Sequence, residues 1–174
     1  RPAARPHGAP RARRIPAAGD SRESFDPRRL RALHVGHRQA VRGHRLADRG
    51  ITLEVRVEDG VTATADPQRL RQLLHNLLEN SARYVEDDGR VRLTLSGDTG
   101  ALLVLEDSGP GVDDAQLPQL FERFFRVEGS RSRATGGAGL GLAICRNIVE
   151  AHGGAITAGH SELGGLAIRV GLPE

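Results

Sequence analysis

At 174 residues the chain has room for one domain and an appendage, but not for two ordinary domains. With 38% hydrophobic and 27% charged residues, and no apolar run near the roughly 18 residues of a membrane span, it reads as a soluble α/β or α+β domain. Its net charge of +3 divides into +9 over residues 1–49 and −6 over residues 50–174; all 25 cations are Arg, which excludes lysine-amine chemistry, and the single Cys145 excludes internal disulfides and a cysteine metal cluster.

Residues 1–24 are rich in Arg, Pro, Ala and Gly, with too little apolar content to fold, so a disordered basic linker is expected there. A nucleic-acid arm would bring aromatic stacking residues or a recognisable fold. This arm has neither, and no nucleic-acid partner is expected. The chain opens Arg-Pro-Ala-Ala-Arg with no initiator Met and no apolar stretch behind it. It is therefore expected to lack a signal peptide and to be a fragment of something longer.

The ordered body is expected to begin near Phe25. Leu30, Leu33, Val41 and Leu46 suggest one face of a helix from Asp26 to about Arg49, weakened by Gly36 and Gly43. Ile51, Leu53, Val55 and Val57 alternate with polar residues as a half-buried strand does. Asp59-Gly60 signals a tight turn, after which Val61–Thr64 can return as a second short strand. Asp66-Pro67 opens the clearest helix, with Asp as N-cap and Pro at the first position. Its leucines 70, 73, 74, 77 and 78 form one apolar stripe reaching toward Tyr84. Strands are expected near Val91–Ser96 and Leu102–Glu106. Asp113, with Gln116 three residues on, predicts a capped short helix. Residues 129–137 read as a mobile loop, followed by a helix from about Gly139 to His152 and strands near Ala155–Ala158 and Leu166–Leu172. No internal repeat is present.

Three segments carry chemistry. On the leucine helix, Asn76, Asn80 and Arg83 lie within about 60° of each other on the shoulder of the apolar stripe. Two poor helix formers one turn apart can present carbonyl oxygens to a hard cation such as Mg²⁺, while Arg meets phosphate. In the loop Asp107-Ser108-Gly109-Pro110-Gly111, Asp107 emerges from an apolar strand, so its carboxylate should be partly buried and in need of donors. The exocyclic amine of adenine is such a donor; guanine, with an oxygen there, would be repelled. The run Gly136 to Ile144 leads from a flexible loop into a helix, where backbone N–H groups can cradle phosphate. It lacks the GK[ST] of a P-loop and the preceding strand of a dinucleotide fingerprint.

Taken together, these segments resemble the ATP-binding catalytic domain of bacterial sensor histidine kinases, within the ATPase superfamily of gyrase, Hsp90, MutL and the histidine kinases. The resemblance covers about Gly50 to Pro173. HNLLENSARY (75–84) is similar to the N box, DSGPG (107–111) to the first glycine box, FERFFR (121–126) to the F box and GGAGLGL (136–142) to the second glycine box. It implies an α+β fold, a two-layer sandwich whose mixed, mostly antiparallel sheet is covered on one face by helices (the Bergerat-type ATP-binding fold), over residues 25–174. It also implies ATP and Mg²⁺ as ligands. Asn80, with Asn76 assisting, would hold Mg²⁺; Arg83 would meet phosphate and Tyr84 would stack on the base. Asp107 would read the adenine amine, and Gly109 and Gly111 would shape that pocket. Gly137, Ala138, Gly139, Leu140, Gly141 and Leu142 would form the phosphate cradle. Phe121, Phe124 and Phe125 would anchor a lid, with Arg126, Arg131 and Arg133 as phosphate contacts. Cys145 reads as a small core residue.

The resemblance further implies a two-component signalling role: transfer of the γ-phosphoryl group to a histidine on a dimerising helical hairpin, with a response regulator downstream and the domain on the cytoplasmic side of a membrane-anchored sensor. The acceptor motif, His followed by an acid and later by Pro, is absent, since His34 is followed by Val and His37 and His44 by Arg. The chain alone is therefore expected to be monomeric and unable to phosphorylate itself. An anti-sigma-type serine kinase and a non-enzymatic nucleotide-binding regulator are the alternatives on the same fold; the F box and the Arg-bearing lid argue against the first.

Overall fold

The computed structural model describes residues 24–25, 45–97, 99–127 and 138–174. In chain order these form β1 (Ser24–Phe25), α1 (Arg45–Asp48), β2 (Thr52–Val57), β3 (Ala63–Thr64), α2 (Pro67–Tyr84), β4 (Arg90–Ser96), β5 (Ala101–Asp107), a 3-10 turn (Leu117–Phe121), α3 (Gly141–Ala151), β6 (Ala155–His160) and β7 (Leu166–Leu172). A five-stranded sheet runs β2-β4-β5-β7-β6. Only the β2–β4 pair is parallel. The other three pairs are antiparallel. The architecture is the expected mixed, mostly antiparallel sheet with helices packed on it.

The core follows from two periodicities. Alternate residues of β4 and β5 (Val91, Leu93, Leu95, Leu103, Leu105) are buried on one face, as the two-residue repeat of a strand requires. The α2 leucines 70, 73, 74, 77 and 78 lie in the same cluster, joined from α3 by Leu142, Cys145, Ile148 and Val149. Each fully buried leucine contributes about 1.5–3 kcal/mol. Asp66 caps α2 as expected, accepting from Gln68 N–H at 2.7 Å and Arg69 N–H at 3.3 Å. His152, just past α3, accepts Asp66 N–H on Nε2 at 3.0 Å and donates from Nδ1 to Ile148 O at 2.7 Å, linking the two helices.

Three expectations are corrected. Residues 63–64 do not form a hairpin with β2; they pair with Ser24–Phe25. Val61, Ala63 and Ala65 bury their side chains in the core cluster, so the segment crosses the layer instead of extending the sheet. The segment after Asp113 is no capped α-helix: Gln116 and Leu117 N–H both bond the Asp113 backbone carbonyl, and the 3-10 turn begins without a side-chain cap. Pro118 lacks an N–H and disfavours α geometry at Leu117. The third helix starts at Gly141 instead of Gly139. Of the helix expected over 26–49, residues 45–48 are helical and 26–44 lie outside the described residues.

Candidate functional site

Asp107 is the last residue of β5 and is only 4% exposed. Its Oδ1 accepts two backbone N–H bonds, from Gly109 and from Leu166, each at 3.0 Å. Oδ2 accepts the Ser81 hydroxyl at 3.2 Å. Desolvation pushes the carboxyl above the usual carboxylate range, and these bonds oppose that shift. A carboxylate oxygen has two acceptor positions. Oδ1 is therefore filled by the backbone, whereas Oδ2 retains capacity for one more donor.

Three chain segments meet at this group. Ser81 lies on the buried side of α2, one residue beyond Asn80. Gly109 passes so close to α2 that a Cβ there would lie 3.4 Å from the Tyr84 carbonyl oxygen. The β6–β7 turn closes the third side, with Gly165 N–H donating to Asp107 O at 3.0 Å. A Cβ on Gly165 would sit 2.4 Å from both Asp107 Oδ1 and Gly109 N, so only glycine fits. Ser81, Gly165 and the Leu166 N–H were not singled out by the sequence. A serine inside a leucine-rich helix is a visible signal in the sequence, whereas Gly164-Gly165 carries no signal beyond that of a turn between two strands.

Asn76, Asn80, Arg83 and Tyr84 share the half-buried flank of α2. Asn76 Nδ2 and Arg83 Nε are buried without a hydrogen-bond acceptor. Asn76 lies beside the Cys145 thiol, a weak acceptor at best. Burial pushes that thiol up to about 12, so Cys145 is an inert core group, as expected. The Cys145–Asn76 contact also locates the start of α3. Gly141 precedes Cys145 by one helical turn, about 6 Å of rise, which sets the free N–H groups of α3 near the Asn76–Arg83 flank. The start of α3 has no side-chain cap, and uncapped backbone donors together with an arginine and asparagine amides are a set suited to phosphate.

Among the described residues no group of three His, Cys, Asp or Glu could hold a metal ion. A cation at this site would take asparagine oxygens and oxygens of a bound phosphate. That donor set fits Mg²⁺, a hard ion that binds few protein ligands and substrate phosphates.

The second glycine segment is tied to the F box through the backbone. Gly139, at φ +66°, carries its carbonyl to Phe124 N–H at 2.9 Å, and a Cβ on it would lie 2.9 Å from Phe124 Cα. Ala138 is exposed, Leu140 half-buried and Leu142 buried. Gly111 is half-buried beyond Pro110. The three Phe residues do not share a helical face. Phe121 fills the core at 7% exposure, Phe125 is half-buried, and Phe124 is 70% exposed with a left-handed φ of +66°. The 3-10 turn ends at Phe121, so Phe124 and Phe125 follow it outside any helix. Arg126 is exposed. Arg131, Arg133 and Gly137 lie outside the described residues.

Residues 65–174 match the family model described as histidine kinase-, DNA gyrase B- and HSP90-like ATPase. The chain belongs to this family. The signal transduction histidine-protein kinase BaeS of Escherichia coli (strain K12) is 53% identical over 130 residues, which is 74% of this chain and 28% of BaeS. The sensor protein RstB of the same organism is 38% identical over 142 residues, covering 82% of this chain and 31% of RstB. The chain thus spans under a third of the length of either relative. Among solved structures, the mycobacterial sensor histidine kinase MprB superposes with a TM-score of 0.68 at 32% identity, covering 87% of this chain and 97% of that one. Full-length ShkA in complex with AMPPNP gives 0.69 at 30% identity, covering 91% and 33%. The domain is an ATP-binding catalytic domain of the sensor histidine kinase type. No helix among its described residues is long and apolar enough to cross a membrane.

Proposed function

We propose that the domain binds Mg–ATP between α2, the Asp107 loop and the start of α3, and delivers the γ-phosphoryl group to a histidine on a separate dimerising helical domain, from which it passes to a response regulator. The observation that carries this reading is the divided carboxylate of Asp107: Oδ1 is satisfied by backbone, and Oδ2 can take one further donor, which the adenine amine supplies and guanine cannot. Tyr84 stacks on the base, with Gly109 and Gly111 at its edge. Arg83 and the N–H groups of residues 137–142 hold the phosphates, with Arg126, Arg131 and Arg133 in the lid and Phe121 anchoring its near end in the core. Asn80, assisted by Asn76, holds Mg²⁺, which when bound supplies charge neutralisation on the phosphate oxygens. The protein's own contribution to transfer is positioning and charge stabilisation, since the nucleophile comes from the partner. The arm over residues 1–24, the catalytic body over 25–174 and a cytoplasmic placement behind a membrane anchor belong to the same reading.

The test is phosphotransfer. The 174-residue chain, labelled ATP and a separate histidine-bearing hairpin domain should give an acid-labile, alkali-stable label on the hairpin. ATP binding without any such label on hairpins from kinases of this type, or label on serine, would refute the assignment.

A further inference from the structure

Successive residues of a strand face opposite sides of the sheet. Asp107 turns toward α2, and the preceding Glu106 turns to the opposite side, where it is nevertheless only 9% exposed. A buried carboxylate needs donors, and those of Glu106 are specific. Its Oε1 accepts the backbone N–H of Glu162 at 3.1 Å, and its Oε2 lies 3.6 Å from Arg92 Nη1. Arg92 stands opposite it in the β4–β5 register. The same guanidinium donates to Glu54 Oε2 at 3.1 Å and lies 3.6 Å from the Glu162 carboxylate.

Glu162 belongs to the β6–β7 turn, whose other end touches the adenine-facing carboxylate. Ser161 N–H bonds Gly165 O at 2.9 Å and Gly164 N–H bonds Ser161 O at 3.0 Å, making the turn one rigid piece. It then donates Gly165 N–H to Asp107 O and Leu166 N–H to Asp107 Oδ1, both at 3.0 Å. Adjacent residues of β5 therefore grip one turn from the two faces of the sheet.

We infer that Glu106, held by Arg92, is a positioning residue for base recognition: by bracing the Ser161–Gly165 turn at Glu162 N–H, it keeps Leu166 N–H on Asp107 Oδ1 and so aims Oδ2 at the base. This rests on the base-reading role proposed for Asp107. Without the brace the turn shifts, Oδ1 keeps only Gly109, and the carboxylate rotates away from the direction of the adenine amine. Arg92 acts through Glu106 and touches no nucleotide.

The test compares Mg–ATP with Mg–ITP, whose base carries an oxygen in place of the amine, by calorimetry on the full 174-residue chain. Glu106→Leu removes the acceptor and should lower ATP affinity about tenfold, the scale of outer-shell partners, while ITP affinity stays nearly constant, so the ATP:ITP preference collapses. Glu106→Gln retains an acceptor for Glu162 N–H and should restore most of that preference. A merely structural role would lower both nucleotides together and leave the ratio alone; that result, or a Gln variant no better than Leu, overturns the inference. If Glu106→Leu does not fold, Arg92→Leu makes the same test from the other side of the ion pair, since it leaves the Glu106 and Glu162 carboxylates unneutralised; an unchanged ATP:ITP ratio there refutes the brace. Asp107→Asn run alongside separates the two possible failures. If it leaves the preference intact, the base is read elsewhere and both proposals fall. If it abolishes the preference while the Glu106 and Arg92 variants keep it, only the brace is refuted.

Discussion

Replacing Asp107 by Asn preserves the shape of the pocket wall and changes the hydrogen-bonding character of one atom. The backbone N–H groups of Gly109 and Leu166, both 3.0 Å from Oδ1, force the amide oxygen of the variant into the Oδ1 position. The amide nitrogen must then occupy the Oδ2 position, where it donates to Ser81 Oγ and turns a proton toward the base. The adenine amine meets a donor where it met a charged acceptor. Losing a hydrogen bond to a charged group costs about 1.5–3 kcal/mol, roughly a 10- to 150-fold weakening of ATP at 1.4 kcal/mol per decade. ITP, whose base oxygen now faces a donor, should be weakened little or gain. The folded chain should respond in the opposite sense. Burial raises the Asp107 carboxyl, so the ionised group is less favourable folded than unfolded. Such a group subtracts stability as pH climbs from the ordinary Asp range through the raised value, because the native state binds more protons than the unfolded one. The Asn variant lacks that loss, so its nucleotide-free melting temperature at neutral pH should equal or exceed the parent's. Calorimetry with ATP and ITP, with thermal melts from acid to neutral pH, checks both halves. A folded variant with unchanged ATP affinity would refute the reasoning.

Asn80→Ala should remove most of the Mg²⁺ dependence of ATP binding and leave the fold intact, because residue 80 flanks the leucine stripe instead of filling it; calorimetry with and without Mg²⁺ decides this, and a parental response shows that Asn80 is no ligand. Gly165→Ala would push a Cβ to 2.4 Å from Asp107 Oδ1 and from Gly109 N; overpacking against backbone costs about 1–3 kcal/mol, so melting temperature and ATP affinity should fall together, and parental values of both would mean that the turn yields freely. The chain by itself should bind ATP as a monomer in sedimentation and remain unlabelled by radioactive ATP. In-line transfer needs a nucleophile about 3–3.5 Å from the phosphorus, and an acid-labile label on this chain would reveal an acceptor among its own histidines.

What the sequence alone determined is what local rules govern. Asp66-Pro67 and the leucine spacing specify α2 to its observed bounds, because a capped helix with one apolar stripe has a single way to bury it. The alternating residues of β4, β5 and β7 specify strands by the same argument at a period of two. The N box and the two glycine boxes are legible because asparagine, aspartate and glycine stand there in an order that resembles the family's nucleotide site, and the F box FERFFR is legible through that resemblance alone. Tertiary structure decided which groups meet. Residues 63–64 could pair with any free edge, and packing of Val61, Ala63 and Ala65 into the core gave them β1 instead of β2. A lone Asp107 in sequence has two equivalent oxygens; Ser81, 26 positions earlier, and Leu166, 59 positions later, make them different. Glu106 reads as an ordinary outward strand residue until Arg92 and the turn at Glu162 are brought beside it. A hydrogen bond is satisfied within about 3 Å whatever the separation along the chain, and no local pattern records which distant donor the folded layers will carry there.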